Sequence, residues 1–207
     1  GGMQKPSEPS RVMFLYWGRR GALSRFTLEL GRVALNQPDL RTTITVSRQN
    51  ESFDAFREFG DALSPISTFS RNIGSLTEAW RVPLIRRQLV ARLKRDRTQA
   101  VIALMPHVWT PLVAPAIRRA GVRYVTIIHD ADGHVGDPTS LMHGWGLRDV
   151  MHADLILTLS LAVAGRLEAT DALKKLGAAE VISRDRSREC SSRLSTACAC
   201  LMDSRPR

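Results

Sequence analysis

The stretch "AVIALMPHVWTPLVAPAIRRAGVRYVTII", residues 100–128, contains the repeating unit on which the fold is built. Residues 100–105 and 123–128 are apolar runs of strand length, and between them 111–121 reads as a helix closed by Gly121. Upstream, 11–17 ("RVMFLYW") predicts a strand, 18–21 ("GRRG") a loop, and 22–35 a helix with Leu23, Phe26, Leu30 and Val33 on one face. Residues 42–46 predict a second strand and 65–69 a short third one, and 51–60 has helical spacing through Phe53, Phe56 and Phe59. A long helix follows over 76–95, with Pro83 marking a kink or a start. Downstream, 139–152 reads as mostly helical, 154–159 as a strand, and 160–169 as a helix with Ser160 as its N-cap.

Strands that alternate with helices, the later ones apolar on both faces, indicate a mainly parallel sheet flanked by helices. The expected class is α/β, Rossmann-like and doubly wound. Such sheets bind ligands outside the carboxyl ends of their strands. The informative loops are therefore 18–22, 47–51, 106–110, 129–138 and residue 160.

With 207 residues and 43% hydrophobic content the chain can bury a sizeable core. No apolar run has the length of a membrane span, and "GGMQKPSEPS" lacks the apolar centre of a signal peptide, so the expected location is the cytoplasm. Gly1 and Gly2 read as a cloning scar and residues 1–10 as a flexible lead-in. A net charge of +10 with a pI near 10.7 points to anionic partners: phosphate-bearing ligands or an acidic membrane surface. Nucleic acid is disfavoured, because neither zinc-finger spacing nor an aromatic RNA-binding signature occurs. Cys190, Cys198 and Cys200 all lie near the C-terminus, outside the expected core, which argues against a disulfide framework. From about residue 171 to 207 the composition turns to Ser, Arg and Cys; this tail reads as disordered, truncated or out of frame.

Several loops carry chemistry. Gly18, Arg19, Arg20 and Gly21 follow the first strand directly; they read either as a phosphate-cradling turn at a helix start or as a tight turn with exposed arginines. Ser47 and Arg48 suit a 2′-phosphate, yet G-x-G-x-x-G is absent and dinucleotide binding is not expected. His107 and Trp109 leave the strand 100–105 between two prolines, a position open to ligand contact or to simple packing. Residues 80–97 put Trp80, Leu84, Ile85, Leu89 and Leu93 near one side and arginines around the rest, a pattern shared by a core helix with solvated arginines and by a helix lying on an anionic membrane. "HDADGHVGD", 129–137, has ligand chemistry in His129, Asp130, Asp132, His134 and Asp137. It lacks the later glutamate of a calcium loop and the i, i+4 histidines of a zinc helix, so no metal is expected. No serine or cysteine sits in a G-x-S-x-G elbow.

Taken together, residues 11–34, 100–132 and 153–167 resemble the N-terminal domain of family-4 glycosyltransferases of the GT-B fold. The shared layout is a strand with a glycine-bearing loop, a strand ending in a polar aromatic loop, a helix closing in "RRAGV", a strand ending in "HD", and "AD" opening a strand that closes on Ser. It covers residues 11–170, about four-fifths of the chain. The resemblance implies the acceptor-side half of a retaining enzyme that moves sugar from a nucleotide-sugar co-substrate to a glycan or lipid-linked acceptor, without metal or other cofactor. It implies His129 and Asp130 as catalytic residues. Gly18 to Gly21 would lie near the donor phosphates, with His107, Trp109 and Ser160 along the same edge. Placed donors and backbone amides suit an oxocarbenium-like transition state and a departing diphosphate.

The departure lies after residue 170, where the family continues to a strand, an I-P-H-G or I-P-N-G turn and a donor-binding domain; "AEVISRDRSREC" stands there instead. The expectation is a chain inactive alone. Two rivals remain: a GT-A enzyme binding manganese through Asp130 and Asp132, and a non-catalytic module that binds anionic lipid or protein through 80–97.

Overall fold

The computed structural model describes residues 8–71, 73–128, 148, 149, 151–158 and 180–183. Seven strands form one sheet: β1 (Ser10–Tyr16), β2 (Leu40–Ser47), β3 (Leu63–Ile66), β4 (Ala100–Ala103), β5 (Arg123–Ile128), β6 (Leu155–Thr158) and β7 (Glu180–Ser183). Their order is β3-β2-β1-β4-β5-β6-β7, and every neighbouring pair is parallel. This is the doubly wound α/β sheet that the alternation predicts. β3 is an edge strand, where Pro65, lacking an N–H, is tolerated.

Burial follows the period of two along β1. Met13, Leu15 and Trp17 face one layer; Val12, Phe14 and Tyr16 face the other. The first layer is completed by α4 (Val82–Arg95), through Val82, Ile85, Leu89 and Leu93, and by α5 (Thr110–Arg119), through Val113, Ala114 and Ile117. Pro83 lies in the first turn of α4, so it starts this helix. Before it come two short turns, α3 (Gly74–Thr77) and a 3-10 turn, Ala79–Arg81.

The second layer is covered by α1 (Ala22–Leu35) together with α2 (Phe53–Phe56) and the 3-10 segment Arg57–Ala62. Here the expected face is corrected. α1 buries Ser24, Thr27, Gly31 and Ala34, whereas Phe26 and Val33 are 50% and 46% exposed. Leu23 and Leu30 are only partly buried, at the margin of that layer. Small residues let the helix come close to the sheet: a Cβ on Gly31 would stand 2.6 Å from both Ile44 Cδ1 and Phe59 Cζ. The buried hydroxyls are paired, Thr27 Oγ1 donating to Leu23 O at 2.7 Å and Ser24 Oγ lying 3.2 Å from Tyr16 Oη.

The long helix expected over 76–95 needs a second correction. Ile85, Leu89 and Leu93 are core, but Trp80 and Leu84 are 70% and 53% exposed. The strand β7 is not signalled by the periodicity and falls within 171–207, which the sequence reads as a disordered, truncated or out-of-frame tail; over Glu180–Ser183 that expectation is corrected. The helix expected over 160–169 and most of the one expected over 139–152 lie outside the described residues.

Candidate functional site at the sheet's switch point

β1 and β4 are neighbours, but the chain leaves them in opposite directions. After β1 it passes through α1 to β2; after β4 it passes through α5 to β5, and α1 and α5 cover opposite faces. The loops beyond Tyr16 and Ala103 therefore diverge and leave a crevice at the carboxyl edge, the place where doubly wound sheets bind ligands.

The β1 loop is held rigidly. Gly18 is buried, and a Cβ there would come within 2.5 Å of the Tyr16 hydroxyl oxygen, so the close approach requires glycine. Asn50, itself buried, donates through Nδ2 to Gly18 O at 2.8 Å and to Ser24 Oγ at 2.9 Å. The Glu51 N–H donates to Arg19 O at 2.9 Å. Gly21, at φ 104°, opens α1, and its N–H donates to Glu51 Oε1 at 2.9 Å. A carboxylate thus already faces the positive end of α1. Arg20 is exposed; the Arg19 guanidinium lies 5.1 Å over the Phe69 ring and donates to Ser70 O.

The β4 loop supplies an aromatic wall. His107 stacks on Phe69 with ring centroids 5.3 Å apart, and meets Trp17 and Trp109 edge-on at 5.9 Å each. Its Nδ1 accepts the Trp109 backbone N–H at 3.2 Å, so the neutral ring carries its proton on Nε2. Burial, assisted by the positive charge of Arg19, lowers its pKa to about 3. His107 is therefore an uncharged hydrogen-bond donor at neutral pH. Trp109 is 1% exposed and its indole N–H donates to Ser75 O at 3.0 Å, so its ring backs His107. Thr110 ties the loop down, accepting the His107 N–H at 3.0 Å and donating to His107 O at 2.7 Å.

Further along the edge, Asp149 is fully buried and accepts the Tyr124 hydroxyl at 2.8 Å. Desolvation raises its pKa to about 6, although the hydrogen bonds from Tyr124, Thr110 and Thr126 oppose the rise. The network fastens Asp149 against β5.

Gly18, Arg19, Arg20, Gly21, His107 and Trp109 thus lie on the two loops that follow β1 and β4 at the carboxyl edge, with Gly18 and Trp109 themselves buried. His129, Asp130, Asp132 and Ser160 lie outside the described residues, His129 following directly in sequence on Ile128, the end of β5. Ser47 is fully buried and paired with Thr68, which leaves it no part in binding a 2′-phosphate. Among the described residues no cluster of three or more His, Cys, Asp or Glu could hold a metal ion. Sequence reasoning missed Phe69, Asn50 and Glu51. The last two fall in the loop 47–51 flagged by the carboxyl-edge rule, whereas Phe69 reaches the wall only through the tertiary fold.

Comparison with solved structures identifies the fold as the Rossmann-like type found in GT-B proteins. MurG from Acinetobacter baumannii is 13% identical, with a TM-score of 0.53 over 75% of this chain and 42% of that one. UDP-GlcNAc 2-epimerase from Neisseria meningitidis, bound to UDP-GlcNAc, is 10% identical, with a TM-score of 0.55 over 77% of this chain and 43% of that one. LpCGTa in complex with UDP is 14% identical, with a TM-score of 0.55 over 96% of this chain and 57% of that one. The chain thus spans about half the length of the structures it matches. No family model and no curated protein matches it.

Proposed function

We propose that the chain forms the acceptor-side wall of a retaining glycosyltransferase of the family-4 kind, which transfers sugar from a nucleotide-sugar donor to a glycan or lipid-linked acceptor. The observation that carries this reading is the switch-point crevice between "GRRG" and "PHVWT", in a fold shared with proteins solved with UDP or UDP-GlcNAc. The functional domain spans 11–170 and its sheet is continued by Glu180–Ser183. Gly18 to Gly21 approach the donor phosphates, with Arg19 and Arg20 as the cations; the Glu51 carboxylate at the α1 end favours side-chain over helix-end contact. His107 donates Nε2–H to a sugar or acceptor hydroxyl, and Trp109 fixes its ring. His129 and Asp130, which follow β5 directly in sequence, are assigned the hydrogen bonds to the reacting sugar, and Ser160 a further contact with it. The reading requires a donor wall facing this crevice to complete the site.

The reading assigns the protein to the cytoplasm, with peripheral contact to an anionic membrane through residues 80–97. Its test is sugar transfer from radiolabelled UDP-sugars to lipid extracts by the product of the gene together with its downstream sequence, read in all three frames for the donor domain. His129→Ala is expected to lower turnover about a hundredfold or more, with an unchanged melting curve. Near-normal turnover in that variant sinks the assignment. Transfer that requires manganese and vanishes in Asp132→Ala would favour the GT-A alternative.

A second reading, nucleotide-sugar epimerisation, draws on the likeness to UDP-GlcNAc 2-epimerases. Conversion of UDP-GlcNAc without any acceptor would select it.

A further inference from the structure

Between β3 and the first turn of α4, four large apolar side chains are turned to solvent: Ile73 is 69% exposed, Leu76 80%, Trp80 70% and Leu84 53%. Their spacing, with Leu76, Trp80 and Leu84 at successive i+4 steps, runs along a nearly continuous helical path through α3, Ala79–Arg81 and α4. They form one stripe. The core is served by a different stripe on the same path, Gly74, Val82, Ile85, Leu89 and Leu93. An exposed row of Ile, Leu, Trp and Leu therefore remains after the segment has met its packing demand, and water is a poor environment for it.

The charges around the stripe decide what covers it. Arg71, Arg87, Lys94 and Arg95 are exposed beside or beyond it, and the Arg81 guanidinium lies 5.4 Å over the Trp80 ring. Glu78, the carboxylate within the stripe, is tied to Arg81 at 2.7 Å. Tryptophan and leucine bordered by arginine and lysine match the acyl–headgroup boundary of an anionic bilayer. The segment is also fastened to the crevice: Ser75 O accepts the Trp109 indole N–H at 3.0 Å, and Arg81 donates to Thr68 O at 3.1 Å.

We infer that the stripe Ile73, Leu76, Trp80 and Leu84 seats the protein on an anionic lipid surface. The crevice then opens beside the headgroup region, and its acceptor is a membrane-borne, lipid-linked glycan precursor. That last clause rests on the glycosyltransferase reading; the docking itself does not. It also moves the membrane contact from the arginine-rich length of 80–97 to the apolar turn before and at the start of α4.

Flotation with phosphatidylcholine vesicles and with mixed phosphatidylcholine–phosphatidylglycerol vesicles at low salt tests it, alongside the sugar-transfer assay of the chain together with its downstream sequence. The chain is expected to float only with the anionic vesicles. The double variant Trp80→Ser, Leu84→Ser is expected to partition about tenfold less or worse, and Arg87→Gln, Lys94→Gln to weaken binding and flatten its salt dependence. All four side chains are exposed, so the melting curves should match that of the parent chain. Absence of wild-type flotation, parent-like flotation of the serine variant, or a lipid-free dimer that this variant dissolves would each overturn the inference. Vesicle binding with no sugar transfer by the chain together with its downstream sequence sustains the docking and removes the transferase reading; transfer without vesicle binding does the reverse.

Discussion

The two faces of the sheet are packed by opposite means. On one, α4 presents Ile85, Leu89 and Leu93, long side chains that fill the space between helix and strands. On the other, α1 presents Ser24, Thr27, Gly31 and Ala34, and the volume is supplied by Ile44, Phe56 and Phe59. A helical period is visible in both sequences; for α4 it gives Ile85, Leu89 and Leu93 correctly but not Leu84, and for α1 it gives none of the fully buried residues. Large residues report their own burial, whereas a stripe of small residues is buried because of what its partners contribute.

The largest effect is expected on the α4 face. Leu89 is 1% exposed, and Leu89→Ala should destabilise the chain by about 2–5 kcal/mol, read as a lower urea midpoint at an unchanged slope. A change no greater than that of a surface substitution would break the contrast between the faces.

The same layer holds the Tyr124–Asp149 pair, whose signature is pH dependence. The folded-state pKa of Asp149, about 6, lies above its ordinary value of 3.8, so the folded chain holds this proton more tightly than the unfolded one. The associated stability is complete below pH 3.8 and is lost as pH rises through about 6, a difference on the order of 3 kcal/mol. Asp149→Asn, which cannot ionise, should remove that slope from a series of melts across this window. An unchanged slope would show that the carboxyl does not titrate there.

On the α1 face the informative change is enlargement. Gly31→Val places methyl groups against Ile44 and Phe59 and should destabilise by roughly 1–3 kcal/mol, whereas an effect near zero would mean that the helix can slide outward. The smallest expected effect sharpens the same point: Phe26→Ser, on the exposed side of α1, should shift stability by no more than about 0.5 kcal/mol. A loss of several kcal/mol would restore the face that the periodicity suggests.

The carboxyl-edge rule, applied to the predicted strand ends, marks three of the loops that build the crevice, at 18–22, 47–51 and 106–110. It identifies His107 and the arginines of "GRRG" as candidates because they stand next to strands that are unmistakable in the sequence. It does not give the neutral state of His107, which depends on burial and on Arg19. Nor does it give the Phe69 ring that stacks on it, which lies 38 positions earlier in the chain. Glu51 at the start of α1 is equally silent in sequence: a carboxylate three residues beyond Arg48 reads as a solvated charge until Gly21 is seen to donate to it.

The sequence by itself determined the order of the strands β1 to β6, the parallel α/β class and the end of the sheet at which the candidate site lies. Those follow from periodicity and from the glycines and prolines that punctuate it, which are local properties. Only the tertiary structure decided which side of α1 is buried, that Trp80 and Leu84 face outward, and how Phe69, Trp17 and Trp109 enclose His107. Each of these depends on the volume and charge of residues distant along the chain, and packing sums such contributions in space.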